Sequence, residues 1–129
     1  MNVLVLNAGS SSLKLSLYHF PKDHLLLRVH VDGIGKTLAT ITLAGATVRK
    51  KMTSHKAALE YVFSHLPENL DVDLVAHRVV HGGEEFTEPQ KVTAAVIRKL
   101  KKIRDLAPLH LPANIQGIEA ARTSLPKAT

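Results

Sequence analysis

Apolar and polar positions divide this chain into a strand-rich first half and a helix-rich second half. Val3-Leu4-Val5-Leu6 is an unbroken apolar run, the pattern of a strand buried on both faces. Ala8-Gly9-Ser10 interrupts it. Leu13, Leu15 and Leu17 then alternate with Lys14, Ser16 and Tyr18, which predicts a strand with one apolar face. Further strands are expected over Leu25 to Val31, Thr37 to Leu43 and Ala46 to Met52. Ser54 is placed to cap a helix reaching about Leu66, with Ala58, Leu59, Val62, Phe63 and Leu66 turned inward and Pro67 ending it. Leu74 to Val80 reads as another strand. Two helices follow, about Thr93 to Arg104 and about Pro112 to Ser124. Pro112 suits a first helical turn, and Pro126 follows the end of the last one. This order of elements predicts an α/β domain, a mixed sheet with helices packed on it.

Composition narrows the picture. At 129 residues the chain has the length of one domain, and 45 % hydrophobic residues supply a core. The absence of cysteine excludes a disulfide scaffold, a thiolate metal site and a cysteine nucleophile. No apolar run is long enough to cross a bilayer, and the N-terminus lacks the layout of a signal peptide, so a cytoplasmic protein with no membrane partner is expected. The formal charge of +6 would suit nucleic acid, acidic lipid or phosphorylated metabolites. Its densest run, Arg98-Lys99-Leu100-Lys101-Lys102-Ile103-Arg104, carries Leu100 and Ile103 in line with Val92 and Val96, which predicts a solvated helix face. Neither nucleic-acid role is expected. A two-metal nuclease needs a carboxylate on its first strand, and no Asp or Glu precedes Asp23. Five aromatic residues in all make no base-stacking motif.

Three clusters carry chemistry. Asn7-Ala8-Gly9-Ser10-Ser11-Ser12-Leu13-Lys14 lies between two strands. Gly9 permits a tight turn that frees amide N–H groups, and three hydroxyls and a lysine add the converging donors a phosphate needs. Ser12 and Lys14 share a strand face, and the Asn7 side-chain oxygen could hold a metal-bound water. An ordinary Ser-rich hairpin turn has the same spacing. The second cluster is His77-Arg78-Val79-Val80-His81-Gly82-Gly83-Glu84. On an extended strand Arg78 and Val80 face one way, offering a small carboxylate a guanidinium fork and a methyl surface. His77 and His81 lack a third ligand and read as structural histidines. Gly82-Gly83 marks a sharp turn or a close backbone approach. In the third, Leu106-Ala107-Pro108-Leu109-His110-Leu111-Pro112-Ala113-Asn114, two prolines hold His110 just before a helix. There it can donate to developing negative charge, or merely brace the loop. Gly33-Ile34-Gly35-Lys36-Thr37 imitates the end of a Walker A loop, but His30 stands where that pattern needs glycine.

Together these clusters resemble the N-terminal part of the acetate kinases. The likeness rests on Val3 to Lys14, on Ala76 to Thr87, on Leu106 to His110 and on Gly117-Ile118-Glu119-Ala120-Ala121-Arg122, in family order. It implies the fold shared by acetate and sugar kinases, chaperone ATPases and actin: a ribonuclease-H-like domain with a mixed five-stranded sheet, and the nucleotide in a cleft between two such domains. It further implies phosphoryl transfer between ATP and acetate, giving acetyl phosphate and ADP, with Mg²⁺. Propionate kinase is the nearest alternative, and a phosphate-binding fragment without turnover is another.

By the same resemblance, Asn7 would lie near the metal and the phosphates. Ser10, Ser11, Ser12 and Lys14 would form the phosphate loop. Arg78 would bind the carboxylate and the moving phosphoryl group, Val80 and Leu109 would line a methyl pocket, and His110 would stabilise the transition state. Leu111 departs from the family, which usually has Asn there. The family's Phe-Asp-Thr-Ala-Phe-His segment, with its catalytic aspartate, and its later arginine and glutamate fall outside this sequence. Residues 1–129 are therefore expected to be the N-terminal domain of a longer, homodimeric protein, binding substrate without turning it over alone.

Overall fold

A computed structural model describes all 129 residues. Its strands are β1 (Asn2–Ala8), β2 (Ser12–His19), β3 (His24–Asp32), β4 (Ala39–Leu43), β5 (Ala46–Lys50) and β6 (Leu74–His77). They form one mixed sheet in the order β5-β4-β3-β2-β1-β6, with β6 parallel to β1 and every other neighbour antiparallel. The sheet has six strands, not the five that the resemblance implies. The extra strand comes from a tight hairpin: Ala44 and Gly45, at φ 49° and 83°, make the two-residue turn whose twist suits paired strands, and β5 folds back on β4.

The helices are α1 (His55–Ser64), α2 (Ala94–Lys102) and α3 (Leu111–Ser124). Ser54 and Thr93 cap the first two through their side-chain oxygens, which accept from Ala57 N and Val96 N. Cross-strand register stacks Leu4 on Leu17, Leu6 on Leu15 and Ala8 on Leu13, and this face is buried under α1 and α3. Gly117 lets α3 sit close to Leu6, where a Cβ would already be tight against the leucine side chain. Both helices cover the same face. On the other face Val3 is buried but Val5 is 38 % exposed, so β1 is covered on both sides only near its start and not along the whole apolar run.

A second, smaller core lies on the far side of α3. Ile97 and Leu100 of α2 meet Leu111, Ile115 and Ile118 there. Leu111 is fully buried, so at the position where the family usually has Asn this chain has a packing residue. The basic run is a solvated helix face as its apolar stripe predicts: Leu100 is buried, Val92, Val96 and Ile103 are partly buried, and Ile97, outside the predicted stripe, is buried beside them. Lys99 pairs with Glu85 at 2.6 Å and Lys101 with Glu119 at 2.5 Å. The imitation Walker segment is a turn between β3 and β4, with Gly33 and Gly35 at positive φ and no helix after it.

Candidate active site

β6 stops at His77 rather than continuing to Val80. The Arg78 N–H still donates to the Leu6 carbonyl at 3.1 Å, which keeps Arg78 alongside Asn7 of β1. Asn7 in turn pairs with Lys14 across β1 and β2. One row therefore runs Lys14, Asn7, Arg78 on the face opposite the leucine core. The next rung is missing. Val80 N–H donates instead to Asn114 Oδ1 of α3 at 3.1 Å, and the chain leaves the sheet.

Above this row lies a cleft of about 470 Å³. The β1–β2 turn contributes Asn7, Gly9, Ser12 and Lys14; the segment after β6 contributes Arg78 and Val80; the loop before α3 contributes Ala107 and His110. Gly9 makes the turn tight: its N–H donates to Ser12 O at 2.9 Å, and a Cβ there would strike the Ser12 hydroxyl. His110 is the residue before the first turn of α3. Its N–H donates to Ala107 O, its carbonyl accepts from Asn114 N, and its imidazole makes no capping bond and faces the cleft.

Most of the expected site residues thus converge, and three do not. Ser10 and Ser11 do not line the cleft. Ser11 instead uses its carbonyl to accept the Gly33 and Ile34 N–H groups, tying the turn to the β3–β4 connection. Leu109 is 74 % exposed and outside the cleft, although its neighbour His110 lines it. Gly82 fulfils the close-approach expectation, since a Cβ there would collide with the Phe86 backbone. Two residues with no expected role also touch the site from behind. His55 Nε2 donates to Gly9 O at 2.6 Å, and Asn114 Nδ2 donates to Ala8 O at 2.8 Å. Asn114 was visible in the sequence as a lone amide among the apolar positions of the last helix; His55 had no comparable signal.

The electrostatics favour an anion. Lys14 and Arg78 both line the cleft, neither is in an ion pair, and no carboxylate lines it. The same fact means that the side chains lining the cleft do not by themselves make a carboxylate site for a metal. Mg²⁺ is bound through oxygens, usually including a carboxylate, and Asn7 and Ser12 between two cations do not make such a site. No group of three or more His, Asp or Glu side chains is arranged to hold a metal ion, and His77 and His81 find no third ligand. His81 Nδ1 accepts from Gly83 N at 2.9 Å, a structural role.

His77 is half-buried, with its Nδ1 out of solvent and unpartnered, and this burial pushes its pKa from 6.5 down to about 4. The unfolded chain therefore takes up a proton before the folded chain does. Stability is expected to fall by as much as about 3 kcal/mol as pH drops from 6.5 through 4. Urea titrations at several pH values check this. The fall should be shallower in His77→Leu, and equal slopes in the two proteins would refute it.

With this geometry in view, comparison with known proteins is decisive. The sequence profile of the Acetokinase family matches residues 2–129. The chain belongs to the acetokinase family. The acetate kinase of Thermoanaerobacter pseudethanolicus is 40 % identical, over 98 % of this chain and 35 % of the relative. The crystal structure of Porphyromonas gingivalis acetate kinase superposes with a TM-score of 0.84 at 36 % identity, covering 97 % of this chain and 35 % of that one. A propionate kinase from Francisella tularensis gives the same TM-score at 32 % identity, with 98 % and 35 % covered. The chain thus spans about a third of the length of the family members it matches. No helix in it is long and apolar enough to cross a membrane.

Proposed function

We propose that this chain supplies one wall of a phosphoryl-transfer site acting on ATP and acetate, as the N-terminal domain of an acetate kinase. The supporting observation is the pair of unneutralised cations, Lys14 and Arg78, converging on one cleft with Asn7, Ser12 and His110. Phosphoryl transfer depends mainly on positioning and charge neutralisation, which is what such a cleft offers. Ser12 and Lys14 hold phosphate oxygens. Ser10 and Ser11 contribute backbone N–H groups, which have no partner within the chain. Arg78 takes the carboxylate and the transferred group, and His110 donates in the transition state. Val80, 40 % exposed within the cleft, is the apolar surface for the acetate methyl group, and Leu109 completes that surface once a second wall closes on it.

Magnesium enters with the nucleotide's phosphates, because the cleft has no carboxylate of its own to hold it. Homodimer formation and a cytoplasmic setting belong to the same proposal. A propionate kinase is the second reading, favoured by the Francisella tularensis neighbour and by the partial exposure of Val80.

Titration with pyrophosphate, followed by backbone amide NMR, tests the phosphate site in the chain as it stands. Amides from Ala8 to Leu13 are expected to shift first. Shifts confined to Arg98–Arg104 would mean diffuse charge binding and would overturn the assignment.

A further inference from the structure

We propose that Asn114 is a positioning residue that holds the cleft open by standing in for a backbone hydrogen bond of the sheet. The inference rests on the phosphate-site reading above. In the parallel pair of β1 and β6, Arg78 N–H donates to Leu6 O. Two residues further on, a regular ladder would have Val80 N–H donate to Ala8 O. That bond is not made. The Asn114 carboxamide occupies the gap: its Oδ1 accepts from Val80 N at 3.1 Å, and its Nδ2 donates to Ala8 O at 2.8 Å. Both backbone groups are satisfied, and the strand ends are held apart by the width of a side-chain amide.

The consequence falls on the site. Ala8 precedes the phosphate turn, and Val80 lies two residues beyond Arg78. If the rung closed directly, Val80 would be drawn against Ala8 and the cleft between them would narrow. Asn114 is suited to the task because it is only 2 % exposed, so water cannot readily take its place, and because α3 packs on the sheet around it. Its amide is the shortest side-chain group that offers one donor and one acceptor in a fixed plane. His55 completes the arrangement from α1 by securing the next carbonyl, Gly9 O. A peptide carbonyl and the following N–H point in opposite directions. Holding Gly9 O toward α1 therefore turns the Ser10 N–H away from it.

The test uses the 129-residue chain and pyrophosphate as the probe. Asn114→Leu removes both hydrogen-bonding groups at similar volume, and Asn114→Ser keeps a polar atom too short to span the gap. In either variant that retains a dispersed amide spectrum, the pyrophosphate Kd is expected to rise about tenfold or more, the scale of a lost hydrogen bond to an ordered site. Measured well below Tm, a residue that only stabilises the fold would lower Tm and leave Kd unchanged.

The wild-type chain gives a readout that needs no variant. The Asn114 side-chain amide should titrate with the same midpoint as the Ser12 backbone amide. A folded variant with the wild-type Kd, or an Asn114 side chain indifferent to pyrophosphate while Ser12 responds, overturns the positioning role alone. Failure of Ala8 to Leu13 to respond in the wild type overturns the phosphate-site reading, and this inference with it.

Discussion

Arg78→Ala is expected to lower turnover by about 10²-fold or more and to raise the acetate KM at the same time. The measurement needs a complete cleft, which a chimera provides: this chain replacing the matched N-terminal third of the Thermoanaerobacter pseudethanolicus enzyme. The argument starts from the backbone. Arg78 is pinned at the end of β6 by its hydrogen bond to Leu6 O, so its guanidinium emerges beside Asn7 and Lys14. No carboxylate of the chain neutralises it. A guanidinium fork matches a carboxylate in the ground state and a phosphoryl group in flight. An interaction present in both states affects binding and turnover together. Arg78→Lys should recover only part of the loss, because an ammonium keeps the charge without the fork. Unchanged kcat and KM in the alanine variant would show that the cleft is not where acetate reacts.

Much of this arrangement could be read from the sequence, for definable reasons. The alternation of Leu13, Leu15 and Leu17 and the cap at Ser54 are local signals, and both stand in the structure. The tight turn between β1 and β2 is legible because Gly9 and the hydroxyls around it sit on contiguous residues. What stayed hidden depends on contacts between distant segments. β6 ends at His77, and beyond it Val80 N–H turns to Asn114, far along the chain, with no strand-breaking residue at Arg78 to announce the change. The exposure of Val5 depends on both α1 and α3 choosing one face of the sheet, which no local pattern encodes. Nothing local marks His55, because its role is a single bond to a carbonyl 46 residues earlier. Leu109 is a different case: a motif points to it, while in this chain the turn before α3 directs His110 into the cleft and leaves Leu109 exposed.

His110→Ala is expected to act differently from Arg78→Ala in the same chimera. Turnover should fall by about 10²-fold, as when one preorganised donor is removed, with the acetate KM little changed. His110 owes its place to two backbone bonds, its own N–H to Ala107 O and its carbonyl from Asn114 N, which fix it ahead of the first turn of α3. Its imidazole has no capping role there and is presented to the cleft with Arg78 and Ser12. On the proposed reading, free acetate has a guanidinium for its charge and Val80 for its methyl group, so it gains little from a further donor. The need arises when charge spreads over the equatorial oxygens of the phosphoryl group between donor and acceptor. A contact made chiefly at that moment lowers the barrier without tightening the ground state, and its loss appears in kcat alone. His110→Gln, which keeps an N–H donor on a longer stem, should restore part of the rate. A His110→Ala variant altered only in KM would place the imidazole on bound substrate instead, and the division of roles between His110 and Arg78 would have to be reversed.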